Sequence, residues 1–405
     1  MHDLVVKDGI VVDPAQEIHA KMDIAISNGR IMAAGEDLGA ELNVDARQVI
    51  DASGRIVTPG FIDMHVHVLP FGNQLPYNGN PDQLCLASGT TTAVDCGSAG
   101  SPMLPPTLVD YLRETCKTRL FLFLNISSRG ILEEPELSDL HFVDIEETVD
   151  ICKNMSEIIL GVKVRLTRGA LGGTAPLEAL SLAMEAAKKA NKPLMVHGIR
   201  TDQKDVLKGV TLVDILSELR SGDILTHIYA ENSGILDEKD KVLPEVYEAV
   251  ERGVRLDVAH GRGNFSFEVA SKAMKQGLMP DTISTDLHKA SIMGPVYDLP
   301  TTVSKFLALG MPLDKAIEKV TASPARIIGM ENNIGTIREG TKADLTILDL
   351  ERGSFEFTDA EGKFKIGKER LVPVMTIKEG DVFLARSWSQ ANWVCRPPFL
   401  EVSKR

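Results

Sequence analysis

The chain has 405 residues, 43% of them hydrophobic and 25% charged, an ordinary globular balance with too many residues for one small core. A net charge of −13 with no basic cluster argues against nucleic acid or an anionic membrane surface as partner. Cys85, Cys96, Cys116, Cys152 and Cys395 are scattered and form no CxxC, and Met1-His2-Asp3-Leu4-Val5-Val6-Lys7 lacks a basic n-region, so free thiols in the cytoplasm, with no membrane segment, are expected.

Residues 1–57 read as short strands. Asp8-Gly9 lies between apolar runs 4–6 and 10–12, and Asn28-Gly29 between 24–26 and 31–32; both dipeptides are hairpin signals. The C-terminal part, 331–405, has the same style, with runs 345–348, 372–377 and 382–384 and a turn at Glu379-Gly380. Neither part makes a domain alone, so a small β-sandwich built from both chain termini is expected.

Between them, from 58 to 330, strand-like and helix-like stretches alternate. The first strand runs from Ile56 into His65-Val66-His67, and others follow at 90–95, 120–126, 158–166, 193–197, 224–229, 254–260 and 282–287. Helical patterns at 177–190, introduced by Ala175-Pro176, and at 211–219 separate some of them. Eight strands in βα alternation predict an α/β protein with a (β/α)8 TIM barrel, although an open doubly wound sheet reads similarly.

His65 and His67 stand two apart at a strand end, where residues i and i+2 face one side, so two imidazoles can converge on a metal. Lys163, His197, His227 and Asp286 each lie on or just past another apolar strand run. In a barrel those ends open on one face, where catalytic groups gather. One such residue is easily a hydrogen-bonded strand-end side chain; metal-capable residues on several strands together point to a site.

With Pro59-Gly60-Phe61-Ile62-Asp63 before His65-Val66-His67, and with Gly335-Thr336-Ile337 and Gly340-Thr341-Lys342-Ala343-Asp344-Leu345 near the end, the chain resembles the amidohydrolase superfamily over essentially its whole length. Within it the pattern is similar to the dihydroorotase-like and D-aminoacylase-like branch, especially amidohydrolase/deacetylase proteins. The resemblance implies two divalent ions, with zinc expected from nitrogen and oxygen ligands. It places one on His65 and His67 and the second on His197 and His227, with Lys163, as N6-carboxylysine, bridging them and Asp286 as metal ligand and catalytic proton acceptor. Metal-activated hydroxide would then attack the scissile carbonyl.

Arg168, Arg200, Tyr229, Arg262 and His288 follow strand ends closely and are candidate substrate-binding residues. Several cations on one face of an acidic chain suggest a small anionic substrate. The expected function is a hydrolase, a deacetylase or deacylase, removing an acyl group from an amide or ester of a carboxylate-bearing molecule. The alternative is a cyclic amidase of dihydroorotase or hydantoinase type, against which counts the sequence Val68-Leu69-Pro70 where dihydroorotases usually carry an arginine after the second histidine. A non-catalytic scaffold is a third reading, disfavoured because all six ligand positions are filled. A homo-oligomer is expected.

Overall fold

The structure, a computed structural model, describes residues 2–36, 38, 46–69, 79–132, 134–202 and 209–389; Cys395 lies outside them. The N-terminal strands are β1 (His2–Asp13), β2 (Ile18–Ser27), β3 (Arg30–Gly35), β4 (Ala46–Asp51) and β5 (Ile56–Pro59). Seven barrel strands follow: β6 (Phe61–Val66), β7 (Thr90–Gly100), β8 (Arg119–Asn125), β9 (Ile159–Arg165), β10 (Leu194–His197), β11 (Ile224–Thr226) and β12 (Arg255–Asp257). The chain returns to the first sheet with β13 (Leu345–Thr358), β14 (Phe364–Lys378) and β15 (Asp381–Leu384).

The terminal sheet has the order β15-β14-β13-β5-β1-β2-β3, with β4 also paired to β1. Strand β5 joins the two ends of the chain, running parallel to β1 and antiparallel to β13. Val6, Ile24 and Ile31 from one end share a core with Leu345, Ile347 and Ile377 from the other, which is why neither end buries enough apolar surface alone.

Asn28-Gly29 and Glu379-Gly380 both close hairpins, Ser27 pairing with Arg30 and Lys378 with Asp381. All four turn residues have positive φ, the backbone a two-residue hairpin needs. The expected hairpin at Asp8-Gly9 is instead an irregularity inside the continuous strand β1, where pairing to β2 shifts between Val6 and Gly9. Bulges and turns draw on the same left-handed residues, and Asp8 has φ 60°.

Strands β6 to β12 are parallel and hydrogen-bonded in sequence order. The eighth member, segment 282–287, joins through single bridges, Thr282 to Asp257 and Leu287 to Val66. The His260 amide donates to the Ser284 carbonyl (3.1 Å), and the Asp286 amide donates to the His65 carbonyl (2.7 Å). The segment thus lies between β12 and β6 and completes the circle. Pro176–Ala190 is the longest described helix; proline at its first turn sets its start, and Ala179, Leu180, Ala183, Ala186, Ala187 and Ala190 form the buried face.

Candidate metal centre and active site

Strand β6 is buried along its whole length, and its carboxyl end delivers His65 and His67. The carboxylate of Asp63 fixes that end against the eighth segment, accepting from the Thr285 hydroxyl (2.5 Å), the Thr285 amide (3.1 Å) and the His65 amide (3.2 Å). Asp286 follows directly. Its carboxylate lies 3.1 Å from His67 Nε2 and 3.9 Å from His65 Nε2, and the three side chains make a group able to hold a cation.

The other expected ligands converge on the same point. Lys163, wholly buried on β9, brings Nζ to 3.4 Å from His65 Nε2. The His227 ring lies 5.1 Å from that of His65 and 3.9 Å from that of His197. His227 and Asp286 hold left-handed backbone, φ 64° and 53°, a conformation costing a non-glycine residue roughly 1–3 kcal/mol. Two such residues turning inward at strand ends mark where the fold stores strain. Gly97 leaves room for the lysine: a Cβ there would come within 2.7 Å of Lys163 Cγ.

Three of the four imidazoles are oriented from behind. Ser98 donates its hydroxyl proton to Asp95 (2.9 Å), so its oxygen accepts from His67 Nδ1 (2.9 Å). Thr226 likewise donates to Asp257 (2.7 Å) and accepts from His65 Nδ1 (3.1 Å). His227 Nδ1 donates to the Ala259 carbonyl (2.8 Å). With the proton held on Nδ1 in all three, the Nε2 lone pairs remain for the centre, the tautomer metal binding requires.

The electrostatics agree. Burial, with the nearby Lys163 charge, holds His65 well below the usual imidazole range, and burial brings His227 down to about 4, so both are neutral at pH 7. Burial likewise brings Lys163 down to about 8. For Asp286 burial acts upward, while His67, His227 and His288 act downward whenever those rings carry a proton, and the carboxyl comes to about 2, ionised at neutral pH.

The expected substrate residues divide. His288 is buried beside this centre, and its Nδ1 accepts from the Ala290 amide (3.3 Å), leaving Nε2 as the protonated nitrogen. Arg168 and Arg262 are exposed. Arg200 spends one guanidinium N–H on the Gly263 carbonyl (3.0 Å). Tyr229 departs from expectation. Strand β11 ends at Thr226 and the chain turns at His227, so Tyr229 enters the core, its ring near Phe306 and its hydroxyl donating to the Leu278 carbonyl (2.8 Å). Asp95, Ser98, Thr226 and Asp257 were not singled out from the sequence, because orienting contacts across 31 or 161 residues leave no local motif. Cys96, one of the expected free thiols, is buried and donates to the Met64 carbonyl, and burial pushes its thiol well up.

The model of the amidohydrolase family matches residues 56–383. A deacetylase of Brucella anthropi is 36% identical over 358 residues, spanning 85% of this chain and 83% of that protein. Among solved structures, an adenine deaminase superposes with a TM-score of 0.84 at 32% identity, covering 95% of this chain and all of the other. A dihydroorotase superposes at 0.83 with 31% identity, covering 96% and 99%.

Proposed function

This chain belongs to the amidohydrolase family, and from that premise we propose that it is a metal-dependent deacetylase cleaving an acyl amide or ester of a small carboxylate-bearing molecule. The observation that carries the reading is the convergence of His65, His67, Lys163, His197, His227 and Asp286 at one end of the barrel, with Nδ1 of three of the histidines already hydrogen-bonded elsewhere.

This donor set fits two divalent ions of the zinc type, His65 and His67 holding one with Asp286, and His197 and His227 the other. An unmodified ammonium would repel them. Burial favours the neutral amine of Lys163, whose nitrogen could add to carbon dioxide and lose a proton, giving a carbamate that would supply anionic oxygen ligands in place of the ammonium. When bound, the ions supply Lewis acidity that polarises the scissile carbonyl and lowers the pKa of water from 15.7 towards about 7.

The chain's own groups do the proton work. Asp286, ionised and facing the centre, accepts a proton from the attacking water and returns it to the departing nitrogen or oxygen. His288, buried close enough to Asp286 for their charges to interact, can hold an oxygen of the substrate through its Nε2–H. Arg168, exposed around that end, and Arg200, with guanidinium N–H groups beyond the one given to Gly263, suit a carboxylate entering an acidic protein, with Arg262 exposed nearby.

The test is product formation by metal-loaded protein: acetate from N-acetyl amino acids and acetylated 2-hydroxy acids, amino acids from dipeptides, ring-opened acid from dihydroorotate and hydantoins, and ammonia from adenine. Turnover of acetylated carboxylates is expected. Turnover of the cyclic amides or of adenine alone would overturn the deacetylase reading.

A further inference from the structure

Lys305 sits in helix Leu299–Ala308 and is wholly buried. Its Nζ lies 2.7 Å from His260 Nε2, 2.7 Å from the Pro295 carbonyl and 2.8 Å from the Thr358 carbonyl. Three N–H groups meet three acceptors. Among the described residues no carboxylate forms an ion pair with it, and burying a charge in that way is costly unless every proton is satisfied.

The three acceptors belong to three different segments around the active-site end. His260 opens the loop after β12; its Nδ1 donates to the Gly261 carbonyl (2.8 Å), and its ring stacks on Phe265. That loop abuts the catalytic carboxylate, since a Cβ on Gly261 would stand 2.5 Å from Asp286 Oδ2. Pro295 belongs to the loop after the eighth segment, which also carries His288. Thr358 ends β13, and the turn beyond it docks on the first loop: Ala360 donates to the Phe265 carbonyl (2.9 Å), and Asp359 accepts from the Phe267 amide (3.0 Å).

We propose that Lys305 is a positioning residue that ties the β13–β14 turn of the terminal sheet to the two loops carrying Arg262 and His288, so that the terminal sheet sets the shape of the substrate mouth. The same side chain could be replaced by methionine with little change in volume, so its three hydrogen bonds are what the position adds. Assigning the mouth to substrate rests on the deacetylase reading; the tie itself does not.

The test compares amide hydrogen exchange in the full, metal-loaded wild type and Lys305→Met. Peptides covering 260–266, 288–297 and 358–363 are expected to exchange together at least about tenfold faster, while 61–67 and 159–165 keep wild-type rates. Wild-type rates in the three segments, or equal acceleration everywhere, would overturn the proposal whether or not the substrate is known. For an acetylated carboxylate that the wild type hydrolyses, KM should rise more than kcat falls. Should Lys305→Met fail to fold, His260→Gln, which keeps an acceptor for Nζ, is compared with His260→Leu. Only the leucine variant should lose protection in the three segments, and identical behaviour of the two would overturn the tie.

Discussion

Replacing Ser98 with alanine isolates one orienting contact of the proposed metal centre. The serine oxygen accepts the His67 Nδ1 proton at 2.9 Å and donates to Asp95 at 2.9 Å, all three residues being buried. Alanine leaves the imidazole N–H without a partner and the Asp95 carboxylate with one donor fewer. An unsatisfied buried donor costs about 1–3 kcal/mol. Part of that cost is relieved if the proton moves to Nε2, the tautomer unable to bind a metal, or if the ring rotates. Loss of an orienting partner typically lowers metal affinity about 10–100-fold, or roughly 1.4–2.8 kcal/mol, the same range. The assay is zinc affinity by competition with a chromophoric chelator. Ser101→Ala is the control, because its hydroxyl bonds Glu147 (2.6 Å) and not a histidine. Ser98→Ala affinity within twofold of that control would refute the claim that this hydroxyl fixes the ligand.

Lys163→Ala should lower metal content and reduce turnover by roughly two orders of magnitude or more, with short carboxylic acids restoring part of it; wild-type rates would remove the lysine from the centre. Arg168→Lys and Arg200→Lys should leave metal content intact and lower kcat/KM for an anionic acyl substrate by about ten- to a hundredfold each, at roughly 1.5–3 kcal/mol per charge-assisted bond. The neutral methyl ester of the same compound serves as comparison; equal behaviour towards both forms would transfer the carboxylate contact to Arg262. In the terminal sheet burial acts to raise the Glu379 carboxyl, but hydrogen bonds from Lys378 and Lys342 and the charge of Arg119 hold it at about 2. Its unfolded form takes up a proton nearer 4.5, so this stabilisation is complete above that pH and is lost as pH falls towards 2. Because the side chain is 41% exposed, about 1 kcal/mol at pH 7 is expected rather than the full shift. Urea unfolding of Glu379→Gln should show that loss at pH 7 and a flatter curve between pH 5 and 2.

Much of the candidate centre was legible because its residues sit at strand ends, where an apolar run interrupted by histidine, lysine or aspartate is conspicuous. His65, His67, Lys163, His197, His227 and Asp286 share that signature, and the fold brings them together. The turns at Asn28-Gly29 and Glu379-Gly380 were legible for the same local reason, whereas Asp8-Gly9 shows that positive φ serves a bulge as readily as a hairpin. Tyr229 was misplaced because a strand pattern gives no sign of where the chain leaves the barrel, and β11 ends three residues before it. The orienting shell was hidden. Ser98, Thr226 and Asp257 look like ordinary strand residues, and Lys305 like an ordinary helical lysine, until the closed barrel sets them beside distant partners.

The central claim, hydrolysis dependent on two ions held at the end of the barrel, is tested most directly by elemental analysis paired with activity on one sample. The account predicts close to two divalent ions per chain, loss of deacetylation on chelation, and its return on adding zinc. Full activity of a protein containing no metal would contradict it.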